Sequence, residues 1–212
     1  MTIAPKRHWT PRYIADRTRW SLYQRRNPDK PWLNPTAISL LDMLLQPFDR
    51  GIEWGSGRST VWFAKHLSHL TSVEDNAEWH AIVKRQLNVA NVTNVDYRLT
   101  EPSGSSPDSD YVRIVDEFAD GSLGFALVDG ASSDARGHCA NAVIPKLAPC
   151  GLLVVDNVNW FLDHETHSPS SRYHLGPANE IWATFQQRVT GWRMMWTTSG
   201  VTDAAIWIKP SN

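Results

Sequence analysis

The sequence predicts an α/β fold in which a parallel sheet is covered by helices. Three observations lead there. Short apolar runs alternate with helical segments, the first run leads into a glycine loop, and the last two runs are separated only by a turn. Alternation of this kind implies right-handed crossovers and parallel strands. Continuous apolar runs suit strands buried on both faces.

The elements follow in order. Proline-rich punctuation over 27–35 precedes an amphipathic helix at 36–45, which Pro47 ends. A strand at 51–54 enters the loop Glu53-Trp54-Gly55-Ser56-Gly57-Arg58-Ser59. A helix is expected at 59–70, a strand at 70–73, a helix at 78–87 and a strand at 95–99. Residues 101–110 are polar and read as a loop; 111–118 looks helical. A strand at 125–128 ends at Asp129-Gly130, a helix covers 137–147, and a strand at 151–155 ends at Asp156-Asn157. A loop rich in His and Ser spans 158–178, then a helix covers 179–189. The runs at 192–198 and 204–208 pair as an antiparallel hairpin.

At 212 residues the chain suits one full α/β domain. It has no run of about 18 apolar residues and no apolar signal region at its start. Two cysteines, Cys139 and Cys150, suit a reduced compartment, and a cytoplasmic location is expected. Net charge is −1, yet residues 1–30 carry eight basic side chains against Asp16 and Asp29. That leader either reaches an anionic ligand or packs on the acidic remainder. Eleven tryptophans are many for this length; they suit core positions, a homodimer interface or the walls of a pocket.

Gly55 and Gly57 remove β-carbons where backbone must approach a ligand, and the next helix offers free N–H groups. Ser59 stands where a dinucleotide-binding loop has its third glycine, which disfavours NAD. Glu74 ends the second strand, 17 residues after Gly57, where a carboxylate can accept both ribose hydroxyls. Glu53 lies inside an apolar strand and needs a partner there.

Four segments carry a resemblance: Glu53-Trp54-Gly55-Ser56-Gly57-Arg58-Ser59-Thr60, Ser72-Val73-Glu74-Asp75, Leu127-Val128-Asp129-Gly130, and 151–157 ending in Asp156-Asn157. They resemble the successive motifs of class I S-adenosylmethionine (SAM)-dependent methyltransferases, over about residues 32–209. The resemblance implies a Rossmann-like three-layer sandwich, with a mostly parallel seven-stranded sheet whose last strand is antiparallel. It divides the chain into a basic, Trp-containing arm or lid (1–34) and a methyltransferase domain (35–212). It implies SAM contacts from Glu53, Gly55, Ser56, Gly57, Ser59, Thr60, Glu74, Asp75 and Asp129, with adenine near Asp75 and Thr100-Glu101.

Asp129, Asp156 and Asn157 close neighbouring strands, so their oxygens could meet around Mg²⁺ or another divalent cation. The trio resembles the metal site of catechol- and caffeoyl-CoA-type O-methyltransferases, with Asn179 open as a further ligand. Their lysine, three residues after the first Asp, is Ser132 here. Asp129, His164 and His167 are the candidate catalytic residues, the histidines as bases in the loop after Asn157. His174 shares that loop. The expected reaction is methyl transfer to a small-molecule acceptor, on oxygen, with the loops 101–110 and 158–178 and the arm as lid. Methylation of nucleic acid or protein is the alternative, but no Asn-Pro-Pro-Tyr motif is present. A non-catalytic SAM-binding protein and an NAD-dependent oxidoreductase are the remaining readings.

Overall fold

The computed structural model describes residues 9–101, 106–130 and 132–211. Its strands are β1 (Arg50–Trp54), β2 (His69–Glu74), β3 (Val95–Leu99), β4 (Leu123–Val128), β5 (Leu147–Asp156), β6 (Arg193–Thr198) and β7 (Asp203–Ile208). They form one sheet in the order β3-β2-β1-β4-β5-β7-β6. β1 to β5 pair in parallel, and β7 runs antiparallel to both its neighbours. This is the predicted Rossmann-like sheet. Strand order reverses between β1 and β4, so their carboxyl ends frame the crevice where such sheets bind ligands.

Alternate residues of each central strand feed opposite faces, as a period of two requires. Ala126, Val128, Leu153 and Val155 pack with Cys139, Val143, Phe161, Trp182 and Phe185 on one side. Phe125, Leu127, Leu152 and Val154 pack with Ile38, Leu41, Trp62 and Phe63 on the other. Thus α2 (Pro35–Leu44) and α3 (Arg58–Ala64) cover one face. α5 (Asp110–Arg113), α6 (Ser133–Val143) and α7 (Glu180–Arg188) cover the other. α4 (Ala77–Val89) packs beside α3 and against β2 and β3.

Several element boundaries differ from the expected ones, and the helix expected at 111–118 divides into α5 and a 3-10 turn at Ile114–Glu117. α3 stops at Ala64 because the Asn94 side chain donates to the carbonyls of Ala64 and Leu67 (2.8 and 2.9 Å) and closes that end. α6 begins at Ser133 and ends at Val143, since Pro145 has no N–H with which to continue it. Ser132, in the place of the absent lysine, is its N-cap, accepting from Ala135 N at 3.4 Å. β5 starts at Leu147, with its register shifted between Leu123 and Phe125 of β4.

The leader is the largest departure. Residues Pro11–Arg26 form α1, capped by the Thr10 side chain, opened by Pro11 and closed with Arg25 and Arg26 in the last turn. Tyr13 and Trp20 are its buried residues. Asp16 of α1 lies so close over Gly200 that no β-carbon would fit there. At the other end, Arg58 donates to Gln24 Oε1 (2.6 Å) and the Pro28 carbonyl (3.2 Å) and lies over the Trp32 ring. A helix of 16 residues, about 24 Å long, therefore runs from the β6–β7 turn to the start of α3. Lys6 and Arg7 of the basic leader lie outside the described residues, as do 102–105 of the polar loop. No helix among the described residues is long and apolar enough to cross a membrane.

Candidate functional site

β1 delivers the chain into the glycine loop at the sheet's switch point. Gly55 has φ of +90°, a conformation that L side chains rarely adopt. A β-carbon on it would stand 2.5 Å from Gly130 N, and one on Gly130 would stand 2.7 Å from Gly55 N. The loops after β1 and β4 thus touch backbone to backbone, so both residues must be glycine. Gly57 is different. A β-carbon there would meet nothing nearer than the Trp79 ring at 4.0 Å, so protein packing does not demand a glycine. The open side of Gly57 is where a ligand could approach. Thr60 Oγ1 accepts from Gly57 N (3.0 Å) and fixes the loop onto α3.

Glu74 is buried at the end of β2 and organises this loop. Its Oε2 accepts from Ser56 N (3.1 Å) and Ser56 Oγ (2.6 Å); its Oε1 accepts from Asp75 N (3.2 Å) and Asn76 N (3.0 Å). Ser56 Oγ also meets the Tyr97 hydroxyl at 2.7 Å. Since Ser56 gives its one proton to Glu74, Tyr97 is the donor in that contact. Burial, reinforced by the negative charges of Glu74 and Glu53, pushes the Tyr97 phenol up, which keeps it protonated for this role. Trp79 Nε1 donates to the Ser56 carbonyl (2.8 Å). Tyr97 and Trp79 had no place in the sequence reading; only their aromatic character next to the loop marks them.

Beside Glu74, a cavity of about 690 Å³ is lined by Asp75, Asn76, Ala77, Leu99, Thr100, Glu101 and Asp110, among others. This coincides with the region where the resemblance put the adenine.

Glu53 is wholly buried. Ser72 Oγ donates to its Oε1 at 2.8 Å, while Oε2 lacks a hydrogen-bond partner. Burial raises its carboxyl to about 7, opposed by the hydroxyls of Thr60, Ser72 and Ser59. Ser59 and Thr60 are themselves buried beneath the loop.

Asp129 directly follows β4 and Asp156 ends the neighbouring β5; Asp156 is buried with one carboxyl oxygen unpartnered, and the Asp129 side chain is 27% exposed. Burial raises both, and the charge of Asp129 raises Asp156 further; Arg136 pulls both down. Arg136 lies among them. Its Nε donates to Gly130 O (2.9 Å). One terminal nitrogen donates to Asp156 O (3.1 Å) and Asn157 Oδ1 (3.0 Å), the other to Asp129 O (2.6 Å). The second also lies 3.5 Å from Asp129 Oδ1. The other end of the Asn157 amide donates to Thr202 Oγ1 (2.7 Å).

The expected metal trio does not fit an ion in this arrangement. The side-chain oxygens of Asp129 and Asn157 face the Arg136 guanidinium, Asp156 offers it only its backbone carbonyl, and no cluster of three or more His, Cys, Asp or Glu suited to a metal occurs among the described residues. Asn179 is not a ligand either: its Oδ1 caps α7 by accepting from Ile181 N and Trp182 N, and its amide donates to Asp134.

His164 and His167 are together, in a cavity of about 430 Å³ that also involves Arg12, Asp16, Trp196, Thr198 and Gly200. His164 stacks on Trp196, with ring centroids 4.2 Å apart. Neither Asp129 nor the glycine loop lines this cavity, so the three catalytic candidates do not form one cluster. The link between them runs through Asn157 and Thr202 in the β6–β7 turn. The loop 158–178 is braced rather than loose: Asn159 donates to Pro169 O, Arg172 to Gly176 O and Pro177 O, and Ser168 to the buried Asp203.

Comparison with known proteins follows the same lines. Residues 52–158, from β1 through the end of β5 and half of the chain, match the family described as "Methyltransferase domain". No curated protein matches. Among solved structures the chain is similar to an rRNA methylase from Streptococcus thermophilus, at 9% identity and TM-score 0.56, covering 82% of this chain and 95% of that one. It is similar to SMU.1697c, a proposed methyltransferase from Streptococcus mutans in complex with SAH, at 11% identity and TM-score 0.57, covering 83% and 98%. A proposed O-methyltransferase from Klebsiella pneumoniae matches at 14% identity and TM-score 0.56, covering 98% and 92%. Those similarities are of fold; the family match is of sequence, and it covers the glycine loop, Glu74, Asp129 and Asp156. The chain belongs to this methyltransferase family and is a class I SAM-dependent methyltransferase.

Proposed function

We propose that this methyltransferase modifies a small-molecule acceptor on oxygen, with the acceptor entering between α1, the loop 158–178 and the β6–β7 turn. The observation that carries this reading is the pair of carboxyls, half-buried Asp129 and buried Asp156, at the ends of β4 and β5 beside the glycine loop. A hydroxyl must lose its proton to become a good nucleophile, and a carboxyl held above its ordinary range can take it. SAM, when bound, supplies a methyl group on a sulfonium. Ser56, Gly57 and Glu74 would hold its amino-acid and ribose parts, and the Asp75–Thr100 cavity its base. The four hydrogen bonds to Glu74 use its acceptor sites, so the Ser56 hydroxyl would turn aside for the ribose. Within the arm 1–34, residues 9–34 cap the domain 35–212, with Arg12 and Asp16 of α1 contributing to the cavity of His164 and His167.

The arginines of α1 favour an anionic acceptor, and this supports RNA as the second reading. Release of S-adenosylhomocysteine separates the two when the enzyme is offered phenols, hydroxy acids, amines and ribosomal RNA. Turnover with hydroxylated small molecules is expected, falling about 10²- to 10⁴-fold in Asp129→Asn. Turnover with RNA alone would refute the small-molecule reading.

A further inference from the structure

We propose that Arg136 is the resident cation of this site and fills the place where the strand-end oxygens would otherwise gather a divalent ion. Five oxygens face the guanidinium: the carbonyls of Asp129, Gly130 and Asp156, the side-chain oxygen of Asn157 and a carboxyl oxygen of Asp129. A guanidinium has five N–H donors, and each of its three nitrogens is used here. Hard divalent cations select such a set of oxygens, but they need them at about 2.0–2.6 Å. The nitrogens stand 2.6–3.5 Å from the oxygens and occupy the space between them.

The fold reinforces the arrangement. Arg136 sits in the first turn of α6, whose amino end carries positive partial charge towards the same carboxyls. Its side chain is only 11% exposed, and Phe161 lies 5.8 Å away beneath it. One arginine therefore ties the ends of β4 and β5 together and sets a positive charge beside the carboxyls of Asp129 and Asp156. It follows that SAM binding and turnover need no divalent metal. The sequence offers the signal: an arginine seven residues after Asp129, next to a helix cap where the lysine of metal-dependent relatives is missing.

Mn²⁺ is the probe. In ¹⁵N-labelled wild-type protein with S-adenosylhomocysteine, millimolar Mn²⁺ should leave the amides of Gly130 and Asn157 no more broadened than surface amides. Selective, saturable broadening there would overturn the proposal. In Arg136→Ala, removal of the guanidinium should expose the oxygens and raise Mn²⁺ affinity at least tenfold over wild type. A further Asp129→Asn change should remove that gain. An Arg136→Ala protein that keeps its fold and gains no Mn²⁺ affinity would also overturn it. Should Arg136→Ala fail to fold, the wild-type broadening decides.

Discussion

At the scale of single residues, Glu53 shows how much of the site is decided by burial. An acid inside a strand was visible in the sequence; its wholly buried setting and the unpartnered Oε2 were not, since both depend on α3 lying over it. Its folded value of about 7 exceeds the ordinary 4.5, so the folded state holds a proton that the unfolded chain releases. The stability it contributes is full below pH 4.5 and is lost as pH rises through 7, by up to about 3 kcal/mol. Glu53→Gln should therefore be more stable than wild type at pH 8 and close to it at pH 4.5 in urea titrations. Equal differences at both pH values would mean that burial does not shift the carboxyl's pKa between the unfolded and folded states. Gly130 was read only as part of a turn after Asp129; its contact with Gly55 joins residues 75 positions apart, beyond what local pattern reveals. Gly130→Ala should lower the unfolding free energy by about 1–3 kcal/mol and weaken S-adenosylhomocysteine binding, because backbone cannot yield as a side chain can.

At the scale of elements, strands and crossovers were legible because apolar runs and turn residues are local signals. Their ends were less so. Asn94 ends α3 from a distance of 30 residues in the chain. α1 escaped the reading because its charges hid a cap, an N1 proline and only two buried contacts, Tyr13 and Trp20. Its docking on the β6–β7 turn depends on Gly200, which has φ of +76° and has the Asp16 side chain in the space a β-carbon would take. Gly200→Ala should cost about 1–2 kcal/mol from the left-handed backbone alone. It should also loosen α1, seen as faster proteolytic cleavage within Pro11–Arg26. Unchanged cleavage would mean that α1 is held by its other end, through Arg58, Gln24 and Trp32.

At the scale of the whole molecule, the sheet order puts the ends of β1, β2, β4 and β5 along one edge, and the matched family region supplies all four. The glycine loop and the Glu74 strand end were legible because their motifs are contiguous: Gly55 to Thr60, and Ser72 to Asp75. The acceptor side was not. Arg136, Trp196, Arg12 and the histidines come from four separate segments, and the contacts of Arg136 exist only once β4, β5 and α6 are packed. The central claim is that Glu74 and the loop it organises hold the cofactor. Calorimetric titration of S-adenosylhomocysteine into wild type and Glu74→Ala tests it most directly. Loss of one or two hydrogen bonds to a charged group, about 1.5–3 kcal/mol each, predicts binding weakened at least tenfold. An unchanged Kd in a folded Glu74→Ala protein would contradict the account.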